Sequence, residues 1–169
     1  MDEALLMSTG DAVRKLRVLV AEDDSALRRL LELRLSVDGY EVRTVCDGAG
    51  ALEMVQIWAP DIFVCDVMMP RVSGLSVCRE LRASEAYAAL PIVLLTARVF
   101  DEDIEAVMAL GGMTFMNKPF NADQLNRTMR QMLGDRVPNP KATLSWLSPS
   151  PPEPDEIAVA AARRQRRQL

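Results

Sequence analysis

Four short stretches carry side chains whose chemistry belongs together. Glu22, Asp23 and Asp24 stand in a row after the apolar run Val18 to Ala21; Asp66 follows "IFVC", Thr96 follows "IVLL", and Lys118 follows "TFMN". Carboxylates crowded at the end of a buried run repel one another: at about 4 Å and an effective dielectric near 20, a like-charged pair costs roughly 4 kcal/mol. A cation must therefore meet them. Hard carboxylate oxygens suit Mg2+, which takes one or two carboxylates and keeps its remaining positions for water and phosphate oxygens. Mg2+ and Lys118 together would balance the three negative charges of Glu22, Asp23 and Asp66. Asp66, alone at the end of its run, is the candidate nucleophile, since a carboxylate can attack phosphorus to form an aspartyl phosphate. Thr96 and Lys118 would then bind the oxygens of the transferred group.

These side chains need elements to hold them. Short apolar runs alternate with longer stretches of helical period, the pattern of a parallel sheet covered by helices. The runs predict five strands, over residues 17–21, 41–45, 61–65, 91–95 and 113–117, each followed by a helix. In an open α/β sheet ligands bind at the carboxyl ends of the strands, and Glu22, Asp23, Asp66, Thr96 and Lys118 all fall there. The second strand ends in Cys46, Asp47 and Gly48, which reads as an ordinary turn. The first helix is expected to bury Leu27, Leu30, Leu31 and Leu35, and the last Ala122, Leu125, Met129, Met132 and Leu133. Asp24 and Asn121 are candidate N-caps.

Composition removes several function classes. The net charge is -4 at pH 7, with the acidic excess ahead of Arg136, a poor match to nucleic acid. There is no histidine, the commonest acid-base catalyst and metal ligand. The three cysteines, Cys46, Cys65 and Cys78, form no C-x-x-C and read as buried apolar residues in a reducing compartment. No apolar run is long enough to span a bilayer, and the acidic start lacks the pattern of a secretory signal, so the expected location is the cytoplasm. The expected organisation is a flexible leader over residues 1–15, a domain over 16–134, a Pro-rich linker over 135–154, and a basic tail of helical pattern over 155–169.

At these residues the sequence resembles the receiver domain of two-component response regulators. The likeness covers "EDD" at Glu22 to Asp24, "DVMMPRVSG" from Asp66 with Pro70 and Gly74 in step, "TAR" at Thr96, and "KPF" at Lys118 to Phe120. It implies a flavodoxin-like, doubly wound α/β fold with a five-stranded parallel sheet of order 2-1-3-4-5 and helices on both faces. It implies Asp66 as phospho-acceptor and Asp23 as a Mg2+ ligand, with Glu22 acting directly or through water and the backbone carbonyl of Met68 completing the metal site. Thr96 and Lys118 become the phosphate-sensing pair, and Phe115 the switch aromatic. Met68 and Arg98 occupy the positions that tune phosphoryl lifetime.

The implied partners are a histidine kinase or histidine phosphotransfer protein as donor, since this chain has no histidine, and a downstream protein target, with a homodimer on phosphorylation. The 33 residues after Arg136 read as too few for a DNA-binding domain. The expectation is therefore a stand-alone, chemotaxis-regulator-like receiver with no DNA-binding domain and no membrane span. It would be no classical enzyme, catalysing only its own phosphorylation and dephosphorylation. A flavin-binding flavodoxin would want a phosphate cradle where "EDDS" repels one. A phosphatase using two aspartates spaced by one residue would want a carboxylate where Met68 stands. The alternative that survives is a receiver-like binding module that is never phosphorylated.

Overall fold

The computed structural model describes residues 14–97 and 102–134. The elements are β1 (Arg17–Ala21), α1 (Ser25–Val37), β2 (Glu41–Val45), α2 (Gly48–Trp58), β3 (Ile62–Asp66), α3 (Gly74–Ala83), β4 (Ile92–Thr96), α4 (Glu102–Met108), β5 (Met113–Asn117) and α5 (Ala122–Leu133). All neighbouring strands pair in parallel, in the order β2-β1-β3-β4-β5. This is the flavodoxin-like arrangement, with both faces of the sheet covered.

Strand alternation explains the two-faced core. Leu19, Ala21, Phe63, Cys65, Ile92 and Leu94 point to one face, against Val55 of α2, Cys78 and Leu81 of α3 and Val107 of α4. Val18, Val20, Ile62, Val64, Val93 and Leu95 point to the other, against Leu31 and Leu35 of α1 and Leu125 and Met129 of α5. A strand buried on both sides has no polar face to show, which is why these runs are continuously apolar. Helix starts are capped as expected: Asp24 accepts from the Leu27 N–H at 2.8 Å and Asn121 from the Gln124 N–H at 2.7 Å.

Several expectations need correction. β3 and β4 each run one residue later than the apolar runs suggested. The ladder continues past Asp66 through the Val67 N–H to Leu95 O (2.9 Å), and past Thr96 through the Lys118 N–H to Thr96 O (2.7 Å). Asp66 and Thr96 are thus the last residues of their strands. Leu30 is 58% exposed, because the buried stripe of α1 runs through Leu27, Leu31 and Leu35 at intervals of four. Cys65 and Cys78 are buried, but Cys46 is exposed beyond the end of β2. The first thirteen residues of the expected leader, the linker, the basic tail and Arg98 lie outside the described residues. Among the described residues, no helix is long and apolar enough to cross a membrane.

Candidate functional site

The carboxyl ends of β1, β3, β4 and β5 bring the chemistry-bearing residues to one edge of the sheet. Glu22 follows β1 and is fully buried, its N–H still bonded to Val45 O of β2 at 3.2 Å. Asp66, 3% exposed, closes β3 at the centre of the sheet. Lys118 follows β5 and reaches across β4 to both: Nζ donates to Glu22 Oε2 at 2.9 Å and lies 3.2 Å from Asp66 Oδ2. The remaining carboxylate oxygens are held by backbone, Glu22 Oε1 accepting from the Asp24 N–H at 3.3 Å and Asp66 Oδ1 from the Met68 N–H at 3.2 Å.

Burial and pairing oppose each other here. Burial pushes the Glu22 carboxyl above its ordinary range, the Lys118 bond pulls it back down, and the Asp66 charge adds to the rise. Burial alone would lower the Lys118 ammonium, but its bond to Glu22 and the charge of Asp66 outweigh that and hold it above its usual value. The lysine is thus a fixed cation between two acids that would otherwise repel.

Asp23 supplies the third carboxylate from the exposed side. One oxygen each from Glu22, Asp23 and Asp66 lies within 4.8 Å of the others. Hard carboxylate oxygens in a cluster whose Asp23 member is exposed suit Mg2+, which takes one or two of them directly and reaches others through water, so the residues present fit that ion. Thr96 is fully buried at the end of β4, its carbonyl accepting the Lys118 N–H. Phe115 pairs in register with Leu94 and is 47% exposed. Met68 lies beside the acids and is 54% exposed. The structure therefore gathers Glu22, Asp23, Asp66, Met68 and Lys118 at one edge, with Thr96 adjoining through the backbone of Lys118.

Two features escaped the sequence reading. The turn after β2 is a latch for the loop that carries Met68 to Ser73. Asp47 caps α2 by accepting the Gly50 N–H at 2.8 Å and pairs with Arg71, and these partners, the Gly50 N–H first, hold its carboxyl below the ordinary range. Arg71 holds this position with φ of +65°, a conformation that non-glycine residues rarely adopt. Gly48 is pressed against the same loop, since a Cβ there would lie 2.5 Å from Val72 O. The second feature is Arg28, whose guanidinium turns back onto the carbonyls of Glu22 and Asp23. An arginine in the first turn of a helix, where the dipole disfavours it, was the readable signal.

Comparison with known proteins gives a consistent picture. The family model described as the response regulator receiver domain matches residues 18–130. The chain is 40% identical over 136 residues to the probable transcriptional regulator ycf27 of Cyanophora paradoxa, covering 80% of this chain and 54% of that protein. It is 38% identical over 152 residues to the response regulator MprA of Mycobacterium avium, covering 90% of this chain and 66% of that protein. Among solved structures, the receiver domain of the sensor histidine kinase PA1611 from Pseudomonas aeruginosa superimposes with a TM-score of 0.65 at 29% identity, over 72% of this chain and all of that one; it has a magnesium ion coordinated in its active site cleft.

These relatives correct the expectation of a stand-alone receiver without a DNA-binding domain. The chain spans only about half to two thirds of their length, and ycf27 is described as a probable transcriptional regulator. The segment after Arg136 is therefore no guide to the output that such a receiver serves.

Proposed function

We propose, from the premise that this chain belongs to the response regulator receiver domain family of two-component signalling, that Asp66 accepts a phosphoryl group from a phosphohistidine of a partner protein in a Mg2+-dependent reaction. The observation that carries this reading is the reach of Lys118 Nζ to both Glu22 and Asp66, with Asp23 completing three acids around one point. An Asp66 carboxylate oxygen attacks phosphorus, the P–N bond breaks, and its electron pair remains on the imidazole nitrogen. Glu22, Asp23, Asp66 and the Met68 carbonyl would hold Mg2+, which when bound offsets negative charge on the carboxylates and the phosphoryl oxygens. Lys118 exchanges its carboxylate partner for a phosphoryl oxygen, and Thr96 offers its hydroxyl to another.

The same placement supports a switch. Thr96 ends β4 and Lys118 follows the adjacent β5, the two joined by a 2.7 Å backbone bond, so a group that draws on both pulls one point of the sheet edge. Phe115, two residues before Asn117 on the same strand and half exposed, turns inward as Thr96 moves, and the altered surface signals through protein contacts in the cytoplasm. The test is intact-mass measurement after incubation with a small-molecule phosphodonor, with Mg2+ or with a chelator. A gain of one phosphoryl group with Mg2+ only is expected. An unchanged mass in both arms would favour the module that binds without being phosphorylated.

A further inference from the structure

We infer that Arg28 is a positioning residue for the acidic cluster, acting through the backbone of the two residues that head it. This rests on the reading of Glu22 and Asp23 as metal ligands. Nη1 of Arg28 donates to Glu22 O at 2.7 Å and to Asp23 O at 3.2 Å. Among the described residues, no ion pair joins Arg28 to the carboxylate of either residue, so it grips their peptides and leaves their ligating oxygens to other partners. Its own N–H bonds to Asp24 O at 2.9 Å, which puts the side chain in the first turn of α1.

That placement runs against local preference. A cation at a helix N-terminus opposes the macrodipole. The neighbouring Arg29 follows the ordinary pattern and pairs with Glu32 along the helix at 2.7 Å. Arg28 instead satisfies two loop carbonyls. The chain between the end of β1 and the start of α1 is only Glu22 to Asp24, and the directions of the first two carboxylates depend on the peptide planes Arg28 fixes. Places where a sequence breaks a local rule are where function is expected.

Arg28 acts on a divalent cation in two ways of opposite sign. Its charge repels the ion, whereas its grip presets the ligands. Positioning dominates, because the charge is partly exposed and screened, while ligating oxygens must be held to a fraction of an ångström.

Calorimetric titration with MgCl2 of the wild type, Arg28→Ala and Arg28→Lys separates the two, alongside amide hydrogen exchange over residues 22–25 in metal-free protein. Arg28→Ala is expected to weaken Mg2+ binding about tenfold, the lower end of what losing a ligand-orienting partner costs, and to speed exchange in that segment. Arg28→Lys keeps the charge, reaches the carbonyls with a single ammonium, and is expected to fall between. A merely structural arginine would lower the melting temperature without moving Mg2+ affinity. Equal or tighter Mg2+ binding by Arg28→Ala overturns the inference while leaving the metal site standing. Failure of the wild type to bind Mg2+ overturns the metal reading and this inference with it.

Discussion

Gly74 begins α3 directly against the backbone of Asp66: a Cβ placed on it would lie 2.1 Å from the Asp66 carbonyl oxygen and 2.9 Å from Cys65 Sγ. The Gly74 N–H meanwhile bonds to Val67 O at 3.1 Å, so the helix start is tied to the residue that follows the candidate phospho-acceptor. The obstacle is backbone and cannot rotate away. Gly74→Ala is expected to destabilise the domain by about 1–3 kcal/mol, the usual cost of forcing a methyl into a filled space. Urea denaturation measures it, and an unchanged midpoint would mean that the loop moves aside freely.

Lys118→Met removes the cation from between Glu22 and Asp66. A buried carboxylate left without its partner costs on the order of 3 kcal/mol. The loss depends on pH in a definite direction. Burial already raises the Glu22 pKa above its unfolded value, and losing Lys118 removes the bond that pulled it down. A carboxyl with a raised folded pKa binds its proton more tightly in the folded state, so its contribution is full below the unfolded value and is lost as pH rises through the folded one. The stability gap between wild type and variant, measured in chelator, should therefore narrow towards acid pH. A gap that widens on acidification would contradict this assignment.

Much of this was legible in the sequence because the relevant signals are local. A strand buried on both faces must be continuously apolar, so Val18 to Ala21 and Ile62 to Cys65 announce themselves, and the polar residue that ends each run marks the sheet edge. Asp66 and Lys118 were readable for that reason. What escaped depended on long-range or backbone partners. Arg71 meets Asp47 across 24 positions of sequence. Arg28 bonds to carbonyls, which every residue carries, so no pattern names its partner. Leu30 misled because intervals of three and four both fit a helix face, and only the packing of α1 on the sheet decides between them. Strand ends slipped by one residue for a similar reason: Asp66 and Thr96 are polar, yet the ladder extends through them.

Mg2+ is expected to raise the melting temperature of the wild type, because a ligand that binds only the folded state stabilises it by about 2.7 kcal/mol at a hundred times its dissociation constant. Asp23→Ala should largely erase that gain, since Asp23 is the exposed member of the three acids and carries little of the fold. Equal gains in the two proteins would place the ion elsewhere.

Met68 stands two residues after Asp66 with an exposed thioether that offers no strong hydrogen bond to an attacking water. A slowly decaying aspartyl phosphate is expected, with Met68→Asn hydrolysing about ten times faster, equivalent to about 1.4 kcal/mol of barrier. The decay of purified phosphoprotein after donor removal, at fixed Mg2+ and pH, measures this. Equal lifetimes would show that Met68 does not govern water access.

The proposed phosphoryl acceptor is the Asp66 carboxylate. Asparagine is nearly isosteric with it and can still accept the Met68 N–H bond through its amide oxygen, but it cannot act as the nucleophile. The most direct measurement is the intact mass of wild type and Asp66→Asn after the same exposure to Mg2+ and a small-molecule phosphodonor, with circular dichroism confirming that both are folded. One added phosphoryl group is expected on the wild type and none on the folded variant; the same mass gain on Asp66→Asn would rule Asp66 out as the acceptor.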